Sequence, residues 1–295
     1  MIIINLIAQL ISVLLAVAFF TLMERKFLGY HHIRKGPNKP GPAGSCVPFA
    51  DAIKLFIKEN NYPKIANRTL FTAVLLMVFF IPSILWMVYP SLFYRFASPI
   101  SFIVFLAFSS LGVYGTLGVG YRSNSKYSNL GSVRAIAQTI SYEVCLSLFL
   151  LSRVIFSSLS LNFFNLIPPF VIIPLRALIF FIIALAETNR SPFDFAEGER
   201  ELVSGFNTEY SSIPFVVVFL AEYIAIILIS IVTRVTFIQS TFTARILPIL
   251  LVSIRFIWAR GTLPRFRYDQ LIIMAWKCLL PFSLAIISII VVIAQ

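Results

Sequence analysis

Apolar residues fill eight long stretches of this chain, near residues 2–23, 69–89, 99–120, 134–152, 169–186, 213–233, 245–260 and 276–294, with polar residues gathered between them. None shows the short alternation of polarity that marks a membrane β-barrel. A run of about 18 residues or more, at about 1.5 Å per residue, matches a hydrocarbon core of about 30 Å, and only helices or closed barrels satisfy their backbone there. The pattern predicts an all-α polytopic membrane protein, with about eight transmembrane helices in one transmembrane domain over 1–295. The seventh stretch is the weakest, interrupted by Pro248 and Arg255. A shorter amphipathic helix is predicted near 46–59, with Phe49, Ile53, Phe56 and Ile57 on one face and Asp51, Lys54 and Lys58 on the other. It either lies at the lipid surface or walls the mouth of a cavity.

Composition agrees with that reading. The 295 residues are 59% hydrophobic and only 12% charged, which excludes an ordinary water-soluble enzyme. The net charge of +12 would suggest nucleic acid in a soluble protein, but its placement gives another meaning. Eighteen Lys and Arg flank or fill the loops after stretches 1, 3, 5 and 7, against four (Arg95, Arg153, Arg234, Arg245) on the opposite side. By the positive-inside rule the odd loops face cytoplasm or mitochondrial matrix, and both termini face the other way. No basic residue precedes the first stretch, and the first charges (Glu24, Arg25, Lys26) follow it, so it reads as a membrane helix rather than a signal peptide.

Several motifs carry little chemistry. Cys46, Cys145 and Cys278 lie too far apart for a disulfide framework or iron–sulfur ligation. His31-His32 has no second cluster at metal-ligand spacing, so no metal site is expected. Gly112, Gly115, Gly118 and Gly120 lie in a membrane stretch, where close helix packing explains them better than nucleotide binding. No phosphate loop, and no nucleophile with a matching base, is present, so no complete catalytic site is expected in this chain alone.

The acids are the informative residues. Seven of the twelve lie between Glu187 and Glu222. Counting from Arg134 and from Ile213, nine residues of helix put Glu143 and Glu222 each about 14 Å into the membrane. An acid at a helix centre costs about 2.5–3.5 kcal/mol on insertion scales, and such residues usually mark ion or proton paths. Thr139, Glu143 and Ser147 form an i, i+4 stripe expected to face the bundle. In the loop from Glu187 to Tyr210, mutual repulsion and desolvation are expected to raise several carboxyl pKa values. A buried acid neutralised by Arg or Lys, and a merely solvated acidic loop, are the alternatives.

LMERKFLGYHHIRKGPNKPGPAG (22–44), FADAIKLFIKE (49–59), SNSKYSNLGSVRAIAQTISYEV (123–144), ETNRSPFDFAEGERELVSGFNTEY (187–210), AEY (221–223) and PRFRYDQLIIMAWK (264–277) together resemble the NADH–ubiquinone oxidoreductase chain 1 family. Members of that family are the core membrane subunit at the heel of respiratory complex I. The blocks run in family order over nearly the whole chain. The resemblance implies a subunit that binds no cofactor itself, FMN and iron–sulfur clusters residing in other subunits, and that shapes the chamber where ubiquinone is reduced. It implies chamber roles for Arg25, Arg34 and Asp51, with Phe49 and Phe56 on a lateral amphipathic helix near the chamber mouth. It also implies a proton path through Tyr142, Glu143, Glu187, Asp194, Glu197, Glu199 and Glu222.

The implied partners are peripheral-arm quinone-site subunits, adjacent small membrane subunits, ubiquinone and lipid, with no nucleic acid. The implied location is the mitochondrial inner membrane, with both termini on the intermembrane-space side. The lack of a presequence and the 30 Phe residues suggest organelle encoding. His31-His32 and Arg200 depart from the family pattern, and Arg200 should depress its acidic neighbours. Rival readings are a hydrogenase-type membrane anchor, a secondary transporter and a purely structural anchor. The transporter is disfavoured by the lack of an internal repeat.

Overall fold

The computed structural model describes residues 2–60, 68–88, 99–159, 174–194, 210–237 and 246–294, and every regular element among them is helical. In chain order these are α1 (Ile2–His31), α2 (Val47–Ile57), α3 (Arg68–Val88), α4 (Pro99–Arg122), α5 (Lys126–Leu159), α6 (Pro174–Glu187), α7 (Ser212–Phe237) and α8 (Ile246–Thr262). A last rod joins α9 (Tyr268–Ile273), a π-helical turn (Met274–Leu279) and α10 (Leu280–Ala294). Among the described residues six helices are long and apolar enough to cross a membrane, and the fold is an all-α polytopic membrane protein. The other two apolar stretches are also helical, as α6 with 14 described residues and α8 with 17. The predicted start of the fifth stretch, 169–173, lies outside the described residues. Pro248 lies within α8, so it does not exclude a helix there.

The predicted ends differ more than the predicted centres. α1 continues to His31, α5 begins at Lys126 rather than 134, and the last rod begins at Tyr268 rather than 276. Hydropathy marks where side chains change solvent, whereas a helix continues as long as its backbone bonds are made. The amphipathic helix is Val47–Ile57, slightly inside the predicted 46–59.

α3 packs on α4 and α7, α4 on α5, α5 on α6 and on α10, and α7 on α1, α2 and α8. The contact of α4 with its neighbours depends on small residues. A Cβ at Gly118 would stand 2.9 Å from the Val74 side chain on α3, and one at Gly120 would collide with Ser132 on α5. Gly115 faces Val78 in the same way. Gly112 has nothing within 4 Å and opens instead onto a cavity, so only three of the four predicted packing glycines pack.

The main core lies where α5, α6, α7, α8 and the last rod meet, around Tyr142, Leu146, Phe180, Ile183, Ile226, Phe256 and Leu271. One charge is buried at its edge. Arg176 on α6 donates to the Phe149 carbonyl at 3.2 Å and to Ser152 Oγ at 2.6 Å, with its guanidinium 5.8 Å from the Phe237 ring. The two hydrogen bonds and the ring face offset part of the cost of burying this cation.

The C-terminal part of α1 and the loops after α6 and α8 meet at one end of the bundle. Arg190 reaches Glu24, the Phe266 N–H bonds the Pro192 carbonyl at 3.2 Å, and Phe193 stacks on Phe266 with centroids 5.5 Å apart. α2 joins the same end. Ser212 Oγ, at the head of α7, donates to the carbonyls of Leu55 (2.8 Å) and Lys58 (2.6 Å), which the end of α2 leaves without helical partners.

Candidate functional site

A cavity of about 160 Å³ opens among α3, α4, α5, α6 and α7. Its walls are mainly apolar, from Val78, Ile81 and Leu85 on α3 to Leu228 and Ile229 on α7. Pro82 also lines it, at a point where α3 lacks one backbone N–H, and Ser83 next to it returns its hydroxyl to the Phe79 and Phe80 carbonyls at 2.8 and 2.9 Å. Against those walls stand Glu187, Thr188 and Asn189 at the end of α6, Glu222 on α7, Thr139 on α5 and Ser109 and Thr116 on α4. Ser109 Oγ donates to Glu143 Oε1 at 3.2 Å, which brings a third carboxyl to the cavity's edge. Glu187 Oε2 and Asn189 Oδ1 are buried acceptors without a hydrogen-bond partner among the described residues. A void of this size has room for several waters, and its few polar groups are where they would bind.

This arrangement follows from where α6 stops. Glu187 is its last residue, yet it shares the cavity with Glu222, ten residues into α7. The helix therefore ends inside the protein, with its final carbonyls buried. Gln138, itself fully buried on α5, ties this end to the turn beyond it: Nε2 bonds the Ala186 carbonyl at 2.9 Å, which also accepts from the Asn189 N–H at 3.3 Å, and the Phe193 carbonyl at 2.8 Å. Gln138 was legible only as one more polar residue in the fourth stretch. Nothing in its spacing tells that it closes a helix 48 residues away.

The sequence-predicted path residues divide three ways. Glu143, Glu187 and Glu222 come together at the cavity. Tyr142 points elsewhere: it is fully buried, its hydroxyl donates to the Leu271 carbonyl at 3.0 Å, and its ring meets Phe193. Asp194 lies with Arg265 at 3.4 Å, away from the residues lining the cavity, so this acid of the crowded loop is paired rather than repelled. Glu197, Glu199 and Arg200 lie outside the described residues. The stripe expected to face inward does so only in part, since Thr139 lines the cavity while Ser147, half-buried, turns its hydroxyl to the Val144 carbonyl of its own helix. The start of α5 at Lys126 also removes the helix end from which Glu143 was counted, and cavity contact replaces matched depth as the link between Glu143 and Glu222.

The residues expected in the quinone chamber lie at the looped end. Arg25 and Asp51 pair at 2.6 Å, both about half exposed, which joins α1 to α2. A pair so wetted contributes only about 0–1 kcal/mol. Phe49 meets Phe19 of α1 edge-on with centroids 6.1 Å apart. Ile53, Phe56 and Ile57 remain exposed on the apolar face of α2. Arg34 is exposed in the turn that follows α1, its N–H bonded to the Gly29 carbonyl at 2.9 Å.

One cluster had no sequence signal. Glu24, only 4% exposed, accepts from Arg190 at 3.3 Å, from Arg260 and from the Tyr223 hydroxyl at 2.7 Å. Arg190 lies over the Tyr223 ring, 4.5 Å from its centroid. Burial alone would strip a proton from Arg190, but Glu24, then Tyr223 and Glu222, reverse this and hold it above its usual range.

Residues 4–291 match the family model described as NADH dehydrogenase. The chain belongs to the NADH dehydrogenase family. It is 49% identical to a protein from Locusta migratoria named NADH-ubiquinone oxidoreductase chain 1, an alignment covering 96% of this chain and 93% of that protein. Proteins of the same name from Aedes aegypti and Danio rerio are 48% and 45% identical, covering 93% and 96% of this chain and 90% and 92% of theirs. This member of the family therefore spans nearly the full length of those relatives, and its cavity and Glu24 cluster lie within the matched region.

Proposed function

We propose that the chain is the chain 1 subunit of a proton-translocating NADH:ubiquinone oxidoreductase in the mitochondrial inner membrane, and that its cavity carries protons. The observation that supports this best is the gathering of Glu143, Glu187 and Glu222 from three helices around one partly polar cavity. The relatives' shared name and the length of the match support membership of the complex. In this reading the odd loops face the matrix and both termini face the intermembrane space. The other partners are peripheral-arm subunits at the looped end, adjacent small membrane subunits and lipid, and the gene is an organelle one.

The chemistry follows from charge. Reducing a quinone to a quinol takes two electrons and two protons, and it alters charge in a medium of low dielectric. In such a medium a unit charge acts strongly over several ångströms. Carboxyls in an apolar cavity respond by taking up or releasing protons, and Thr and Ser hydroxyls with water complete the hydrogen-bonded chain between them. Glu187 stands nearest the looped end, because the turn that follows it contacts Glu24 and the loop after α8. The quinone would enter beside α1 and α2, past Phe49, Phe56 and the Arg25–Asp51 pair, and Arg34 would stand at the same mouth. The acids Asp194, Glu197 and Glu199 would link that chamber to the cavity.

The test is a native gel of mildly solubilised membranes stained for NADH oxidation, with mass spectrometry for this chain. The expected result is co-migration with a large NADH-oxidising band whose quinone-linked activity is lost to a quinone-site inhibitor. Finding the chain only in a small inactive band would refute the assignment.

A further inference from the structure

The Glu24 cluster and the cavity are separate voids with different linings, yet two short pieces of chain join them. Glu24, Arg190 and Arg260 line a small void with Phe20, Ile226 and Phe256. Arg190 lies three residues after Glu187, and Thr188 and Asn189 between them line the main cavity. On α7, Tyr223 belongs to the cluster and Glu222, its chain neighbour, belongs to the cavity. Among the described residues the cluster holds two guanidiniums against one carboxylate, and Glu222 of the cavity also acts on Arg190. Of the two cations, Arg190 is the more enclosed, with a side chain 16% exposed against 40% for Arg260.

We propose that Arg190 is a positioning residue for the cavity: anchored on Glu24 and on the Tyr223 ring, it fixes the electrostatic field in which Glu187 and Glu222 gain and lose protons. The inference rests on the reading of the cavity as a proton path. The titratable groups facing this region are Glu24 from α1, Glu143 from α5, Glu187 from α6, Glu222 and Tyr223 from α7 and Arg260 from α8. The described cavity wall from α3 and α4 brings no titratable side chain. Arg190 stays cationic throughout the neutral range, so it acts as a fixed charge and the carboxyls do the titrating.

The experiment compares Arg190→Gln, Arg190→Lys and Glu24→Gln in the assembled complex, reading the pH dependence of NADH:quinone turnover. Loss of the Arg190 charge should move the profile to higher pH by about one unit, the effect of a unit charge at roughly 10 Å with an effective dielectric of about 20. Glu24→Gln frees a further positive charge and should move the profile the other way, while Arg190→Lys should restore it. A purely structural role predicts loss of assembly or of rate, without shifts of opposite sign. Profiles that stay in place, or that move in the same direction in both Gln variants, overturn the proposal. If either Gln variant fails to assemble on a native gel, Arg260→Gln, at a partly exposed position, takes its place. It should give a smaller shift to higher pH, and no shift again overturns the idea. Glu222→Gln separates the two levels: full pumping by that variant refutes the proton path itself, whereas impaired pumping with unmoved Arg190 and Glu24 profiles refutes only the coupling.

Discussion

At the scale of single residues, what could be read from the chain depended on whether the residue breaks its surroundings. Glu143 and Glu222 stand out because an acid within an apolar run costs several kcal/mol unless it has work or a partner there. Glu24 does not stand out, since it sits at the end of a run where charges are ordinary. Its partners Arg190, Tyr223 and Arg260 are 166, 199 and 236 residues away. Gln138 was hidden for the same reason, and its role leads to a prediction. Gln138→Leu keeps the volume but takes the donor from the buried Phe193 carbonyl, at about 1–3 kcal/mol, and leaves the Ala186 carbonyl with the Asn189 N–H alone. The variant complex should lose quinone-linked turnover at a clearly lower temperature than the parent, as measured by timed heat inactivation. An unchanged inactivation temperature would show that the end of α6 needs no such cap.

At the scale of helices, hydropathy located each membrane element because lipid selects apolar side chains over about 18 residues or more. It missed the extensions at both ends of that window. Lys126–Val133 are part of α5 although they contain Ser, Asn and Gly, since Ser128 and Ser132 pack under Gly120 of α4 and Ser128 Oγ reaches the Gly120 carbonyl at 3.3 Å. The π turn Met274–Leu279 was also invisible: it depends on cross-helix partners, with Tyr142 bonded to Leu271 just before it and Cys145 Sγ 3.9 Å from the Ala275 carbonyl within it. The close approach of α4 and α5 can be tested directly. Gly120→Val would force a branched side chain into Ser132, an overpacking cost of about 1–3 kcal/mol or more. The level of assembled complex should fall, whereas Gly112→Ala, at the open position, should leave it near the parental level. Equal levels for both would mean that the glycine contact is not what sets the α4–α5 distance.

At the scale of the molecule, the excess of basic residues in the odd loops pointed to one charged end, and the structure brings the C-terminal part of α1 and the loops after α6 and α8 together there. The cavity is a separate void, joined to that end by the turn that carries Arg190. No count of charges could have shown this, because it depends on α6 ending inside the protein. The central claim is that the carboxyls of this cavity move protons, and the most direct measurement is proton translocation per NADH oxidised by the complex reconstituted in sealed vesicles with Glu187→Gln or Glu222→Gln. The account predicts that either variant assembles and still oxidises NADH with a water-soluble acceptor. Coupled quinone turnover should fall at least about tenfold, below the usual contribution of a positioned proton-transfer group. Parental pumping and turnover in both variants would contradict it.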